Sequence, residues 1–288
     1  MGIGFLWKKR PCHQFRAAGW AIFAIFWLVQ TPSYAASLDL LNVLGSIGAF
    51  IAFLFFAYHE RLSYQWDDEY EPLRFLAGAA FIASTIYFVV DRIPQLSAWL
   101  IEAVTQQTAA LLGVANASYT AGPAALMGNP PFYRVNGEEI YAPLLNPAGR
   151  PVVHIILACT AIQGIAIAVA MILGVKEPPK RKLLTTAVVL PVTYFMNLVR
   201  NFVVIYSFDV QHVDFELAHG YWGKGLAVLV LVILLVFCFW LLPELYVNIN
   251  GLFELPWRKG PNHDYRKYVG RLYRKREGNG GSAEPPTS

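Results

Sequence analysis

The sequence predicts an all-α polytopic membrane protein with about six transmembrane helices, an outer interfacial or re-entrant helix, and both termini on the cytoplasmic side. Three observations carry this. Of the 288 residues, 56% are hydrophobic and 15% charged, against roughly 25% charged in soluble globular chains. The mean hydropathy is +0.42, and the apolar residues are gathered into blocks of about 17 to 25, the length that crosses about 30 Å of hydrocarbon. The basic residues collect at the ends of alternate blocks, as cytoplasmic flanks do.

Six blocks read as spans, at approximately 17–33, 41–58, 74–91, 152–174, 182–206 and 220–245. The first follows a basic start (Lys8, Lys9, Arg10, Arg16) and ends in SYAAS, a pattern that also fits a signal anchor or a cleaved signal peptide; the topology downstream is the same in each case. With the N-terminus inside, the inner segments hold 18 of the 23 Lys and Arg, leaving Arg92, Arg134, Arg150, Arg200 and Lys224 to the outer side. The chain therefore divides into a basic N-terminal segment with the first span (1–38), a membrane-embedded domain (39–250) with an outer loop at 92–150, and a basic cytoplasmic tail (251–288) whose end, EGNGGSAEPPTS, has a disordered composition.

Within the outer loop, IPQLSAWLIEAVTQQTAALLGV places Leu96, Leu100 and Val104 on one helical stripe, which suits a helix lying on the membrane surface. A seventh span there would move KEPPKRK to the outer side, against the charge distribution. Further on, YRVNGEEIYA fits a short β-hairpin, and Asn116 opens the acceptor sequon NAS.

Composition also narrows the function. The net charge of +4 lies beside the spans rather than on a nucleic-acid-binding face, and Cys12, Cys159 and Cys238 are too few for a disulfide framework. No His/Cys/Asp/Glu grouping has zinc or calcium spacing and no glycine-rich phosphate loop is present, so neither metal nor cofactor is expected.

The polar residues inside the spans are the informative ones. VVHIILACTAIQG reads as the first half of the fourth span, yet carries Cys159, Thr160 and Gln163; span five holds Arg200 between Asn197 and Asn201; His219 opens span six. A charge inside a span is costly and is usually paired, water-facing or functional. Cys159 and Arg200 have their midpoint in the inner loop VKEPPKRK, so each lies about 20 residues, on the order of 30 Å, up its own helix. Arg200 and His219 have theirs in the outer loop. The thiol, guanidinium and imidazole are thus predicted at one depth, a turn or two beneath the outer surface. Gln163 falls one turn below Cys159, and Asn197 one turn below Arg200.

Such a trio suits acyl transfer through a thioester. A neighbouring cation favours the nucleophilic thiolate, an imidazole shuttles protons, and a fixed guanidinium stabilises an oxyanion. Cys159, Arg200 and His219 are the candidate catalytic residues, with Gln163, Asn197 and Thr160 orienting them. The other polar residues have simpler readings: Cys12 and Cys238 as packing, His154 and His212 as cap or interface residues, Lys224 as a snorkelling anchor. The rival reading is a transporter or channel with Arg200 and His219 on an ion or proton path. Against it, spans three to six hold no acidic residue apart from the end-region Asp91 and Glu244, and no internal repeat is visible.

ACTAIQ around Cys159, NLVRN around Arg200 and the outer histidine that follows resemble the archaeosortase/exosortase family over about residues 39–250. The resemblance implies a membrane-embedded cysteine transpeptidase of the cell membrane, its site near the extracytoplasmic face. Its substrates would be secreted surface proteins ending in a sorting signal: a short PGF-type motif, a hydrophobic helix and a basic cluster. The new C-terminus would pass to a membrane lipid. Under this resemblance Cys159 forms the thioester, Arg200 donates a proton or stabilises the oxyanion, and His219 assists transfer.

Overall fold

The computed structural model describes residues 2–6, 10–36, 39–128 and 138–266. Lys8, Lys9, Arg134, the predicted NG turn of the hairpin and the tail beyond residue 266, including the end predicted from composition to be disordered, lie outside them. The chain forms two compact units, one from residues 1–78 and 243–288, the other from 79–242. These divisions differ from the sequence-based boundaries at 39 and 250.

The first unit is built on a helical hairpin. Helices α2 (Cys12–Ala36) and α3 (Leu40–Trp66) follow a short α1 (Gly2–Leu6). Trp20, 1% exposed, stacks on Phe53 at 5.5 Å between ring centroids. The hairpin buries a charge network: Arg16 donates from Nε to Glu60 Oε1 (2.7 Å) and from Nη2 to Glu69 Oε1 (2.6 Å), and His13 Nδ1 lies 3.0 Å from Glu60 Oε2. Arg16 and Glu60 are 1% and 0% exposed, so each needs its counter-charge. Cys12, His13 and Glu69 bring three donor atoms within 4.8 Å of one another, a grouping the sequence did not announce. The Arg16 guanidinium, bonded to Glu69 and 2.8 Å from His13 Nδ1, is the cation they already surround.

Residues 251–266, predicted as the start of the basic cytoplasmic tail, are folded into this unit. Helix α9 (Pro243–Phe253) leads to Arg258, which donates to Ser63 Oγ (2.7 Å) and Asp68 Oδ2 (2.8 Å) and lies over the Trp66 and Tyr70 rings. Tyr70 donates to the Gly251 carbonyl at 2.6 Å, and its burial holds the phenol well above the usual tyrosine range.

The second unit takes the C-terminal part of helix α4 (Glu71–Arg92), then α5 (Pro94–Val114), strands β1 (Thr120–Ala121), β2 (Ala125–Gly128), β3 (Glu138–Leu145) and β4 (Pro151–Ile156), and helices α6 (Ile162–Gly174), α7 (Pro179–Ile205) and α8 (Lys224–Leu241). The sheet corrects the all-α prediction. Strand β3 is central, pairing antiparallel with β1 and β2 along one side and with β4 along the other. Of the expected hairpin only the second strand, the start of β3, lies among the described residues; the first falls outside them.

Helix α5 closes one face of this sheet. Its buried stripe runs through Ser97, Ile101, Val104, Thr105, Thr108 and Leu112 and meets Ile140, Ala142, Leu144, Ile155 and Leu157. The stripe shares Val104 with the predicted one but is turned by about one residue, because a sheet rather than a membrane surface faces it. Glu102 Oε1 accepts from the Ala124 amide (2.8 Å), and Tyr194 of α7 donates to Gln107 Oε1 (3.0 Å).

Among the described residues five helices are long and apolar enough to cross a membrane: Cys12–Ala36, Leu40–Trp66, Glu71–Arg92, Pro179–Val210 and Glu216–Leu241. The predicted span at 152–174 is not a single helix. Its first part is strand β4 and a 3₁₀ turn (Leu157–Cys159), leaving the 13 residues of α6, about 20 Å of helix at 1.5 Å per residue.

Candidate functional site

Cys159 stands at the end of a strand, not within a helix. Strand β4 buries Ile155 and the turn buries Leu157, at 4% and 1% exposure, which fixes the chain just before the thiol. Thr160, fully buried, donates its hydroxyl to the Leu157 carbonyl at 2.7 Å and its amide to the same oxygen at 3.1 Å. Ala161 then takes a left-handed conformation, φ 65° and ψ −5°, which costs a non-glycine residue about 1–2 kcal/mol. Its carbonyl accepts the first α6 hydrogen bond, from Ile165, and no side chain caps the helix. The amides of Ile162, Gln163 and Gly164 thus begin α6 without helical acceptors, and a helix start of this kind favours an anion.

The Cys159 carbonyl is clamped from α7. Asn197 Nδ2 donates to it at 2.7 Å and Asn201 Nδ2 at 3.1 Å. These asparagines stand one turn apart and bracket Arg200, whose Nη1 lies 3.5 Å from Asn201 Oδ1. The Cys159 backbone therefore stands beside the α7 turn that carries Arg200, but not by the helical rise assumed from sequence, since Cys159 ends a strand and turn and α6 holds only 13 residues. Close helix approach supports the arrangement: a Cβ on Gly164 would lie 3.2 Å from Thr193 Cγ2, and one on Gly223 would lie 2.8 Å from Val204 Cγ2 and 3.5 Å from Arg200 Nε.

The other predicted residues fall as follows. Asn197 is in place. Thr160 orders the turn below the thiol rather than facing Arg200. Gln163 is exposed on the first turn of α6, and the four-residue relation to Cys159 assumed from the sequence is broken by the turn at Ala161. His219 is half-buried in a wide π-helical turn, Glu216–Gly223, its ring stacked on Phe215 at 5.2 Å and 8°. The contact with Arg200 falls at Gly223, so His219 lies about one turn along from it; the charges acting on its ring are those of Arg200, Lys224 and Glu216. Cys12 and Cys238 are buried, at 1% and 3% exposure, whereas Cys159 is only partly buried.

Two residues went unassigned in the sequence reading. Asn201 carries a signal that could have found it, the four-residue spacing from Asn197 on one face of α7. Tyr119 donates a hydrogen bond to Asp209 Oδ2 and so ties the start of β1 to the π-helical turn Tyr206–Val210 that ends α7. Burial and that carboxylate hold the Tyr119 phenol above the usual tyrosine range. No local pattern links residues 90 positions apart.

A partly buried cysteine whose carbonyl is held by the two asparagines that bracket Arg200 on a long apolar helix is the arrangement at the centre of this unit. The family model described as transmembrane exosortase matches residues 1–240. The chain belongs to the transmembrane exosortase family. This exosortase is similar to archaeosortase A of Haloferax volcanii, with 27% identity over 198 residues, covering 68% of this chain and 63% of that protein. The match thus spans less than two thirds of the relative's length. No solved structure matches the chain. Family membership and the apolar helices make it a multi-pass membrane protein.

Proposed function

We propose that this exosortase is a cysteine transpeptidase that processes C-terminal sorting signals of secreted surface proteins. The Cys159 thiolate attacks the carbonyl at the cleavage point; the S–C bond forms, the C–N bond breaks, and the departing amine takes up a proton. A hydroxyl or equivalent nucleophile of a membrane lipid then attacks the thioester, releases the thiol and receives the acyl group. Arg200 meets the charge that develops on the carbonyl oxygen, and His219 moves the protons between thiol, amine and incoming nucleophile. Asn197 and Asn201 hold the cysteine backbone for the attack.

The observation that carries this reading is the double hydrogen bond from α7 to the Cys159 carbonyl on either side of Arg200. The concentration of Lys and Arg on alternate connections supports a cytoplasmic placement of both termini, with the site toward the extracytoplasmic face of the cell membrane. A substrate anchored by its own C-terminal helix would present a PGF-type motif at that level, with its basic cluster inside. The test is mass analysis of mature C-termini of surface proteins in cells carrying wild-type chain or Cys159→Ala. Processing is expected to disappear in C159A while the protein stays in the membrane at its normal level; an unchanged set of C-termini would exclude the proposal.

A further inference from the structure

We propose that the unpaired edge of β4 is the docking edge for the peptide that Cys159 cleaves, an extended segment adding to the sheet as a fifth strand. The inference rests on the peptide-cleaving reading above and names how its substrate is held.

The register fixes which backbone groups are open. Pro143 of β3 stands opposite His154 of β4. Proline has no N–H, and the Pro143 carbonyl accepts from the Gly122 amide at 2.8 Å, on the opposite side of β3 from β4. Pro143 and His154 are therefore a non-hydrogen-bonded pair, and the His154 N–H and C=O point away from the sheet. Alternation gives Ile156 the same direction and turns Ile155 inward. Among the described residues no strand pairs with this edge, and no backbone bond outside the ladder engages His154 or Ile156.

Position and chemistry both select a peptide as occupant. The edge runs into the nucleophile, with Ile156 three residues before Cys159. An open row of alternating donors and acceptors is met in full by another extended backbone. It is not tolerated against lipid, where backbone groups find no partner. Proteins commonly guard such edges with proline, charge or a bulge. Here Pro151 and the bulge at Leu144/Leu145 both lie at the end of β4 remote from Cys159, and VHII, the stretch nearest the thiol, carries no proline, lysine or arginine. The His154 side chain is exposed and lies against Tyr141 on one face of the sheet, 4.4 Å between ring centroids, so it is turned out of the plane in which a further strand would pair. Main-chain pairing would bind the segment through the outward backbone groups of His154 and Ile156 whatever its side chains, and it uses no part of the His154 ring.

The test separates this inference from the reading beneath it. The chain is returned to cells of its own source lacking it as wild type, C159A, His154→Ala and His154→Pro, and mature C-termini of surface proteins are followed by mass spectrometry. H154P removes an outward N–H while leaving the bonds to β3; H154A removes only the ring. Expected are no processing by C159A, at least tenfold slower processing by H154P, and near wild-type rates for H154A. H154P should keep normal membrane level and normal iodoacetamide alkylation of Cys159. Normal processing by H154P beside an inactive C159A would overturn the docking edge alone; normal processing by C159A would overturn both. Should H154P fail to accumulate, cysteine trapping decides: His154→Cys in the C159A background is paired with a processed surface protein carrying single cysteines walked through the residues before its cleavage point. Disulfides at every second position bear out the strand; disulfides at consecutive positions, or none, reject it.

Discussion

Asn197 and Asn201 show how much one residue type does at this site. A backbone carbonyl has two lone pairs, and α7 supplies a donor to each at Cys159. Replacing Asn201 with leucine removes one donor from a partly buried acceptor, a loss of about 1 kcal/mol. N201L is expected to remain folded, with a slightly lowered thermal midpoint and processing slowed at least tenfold because the Cys159 backbone loses one of its two ties to the α7 turn that carries Arg200. The alkylation rate of Cys159 reports this directly, since Cys12 and Cys238 are shielded. Tyr119 supplies a pH-dependent counterpart. Its pKa is raised by burial first and by Asp209 second. The unfolded phenol ionises near pH 10, so above that pH the unfolded state has released a proton that the folded state keeps. The contribution is fully present below about pH 10 and falls as pH rises further. Tyr119→Phe is expected to cost about 1–2 kcal/mol at pH 8 through the lost bond to Asp209. It should also show a shallower decline between pH 10 and 11, read as thermal midpoints in detergent beside wild type.

At the scale of elements, the decisive feature is the passage from β4 through a 3₁₀ turn into α6. In sequence, VVHIILACTAIQG is a run of apolar and β-branched residues that a buried strand and a membrane helix share. The pairing of Ala142 with Ile155 and of Leu144 with Val153 selects the strand, and no local signal in residues 152–164 announces that partner. The turn depends on Ala161 at φ 65°, where a β-branched side chain is severely strained. Ala161→Val is expected to destabilise the protein by about 2 kcal/mol or more and to abolish processing, whereas Ala161→Gly should preserve or slightly raise the thermal midpoint. The helix crossing at Gly223 was equally silent in sequence: its glycine is required by the approach of Val204 rather than by any local conformation.

At the scale of the molecule, every candidate catalytic residue lies within the unit formed by residues 79–242, while the other unit spends its polar residues on structure. Glu60 there is wholly buried against Arg16 and His13. Glu60→Gln removes the anion from a buried pair and is expected to cost about 3 kcal/mol, seen as a lower thermal midpoint and lower membrane level in cells. Arg16 and Arg258, counted from sequence as inner-side basic flanks, are both buried anchors in this unit. Charge in a sequence says which side of a membrane a residue favours, but not whether a carboxylate from a distant helix meets it.

The sequence by itself determined the membrane class and five of the six predicted spans, those at 17–33, 41–58, 74–91, 182–206 and 220–245, each of which falls on a long apolar helix. Helical period and hydropathy act locally, so they can be counted from the letters alone. Only the tertiary structure decided that Cys159 ends a strand, that Asn201 shares the clamp, that Gln163 is turned out of it, and that β4 offers an open edge. Each of these is settled by which backbone pairs with which across dozens of residues. Long-range hydrogen bonding of that kind leaves no periodic mark on the segment it reshapes.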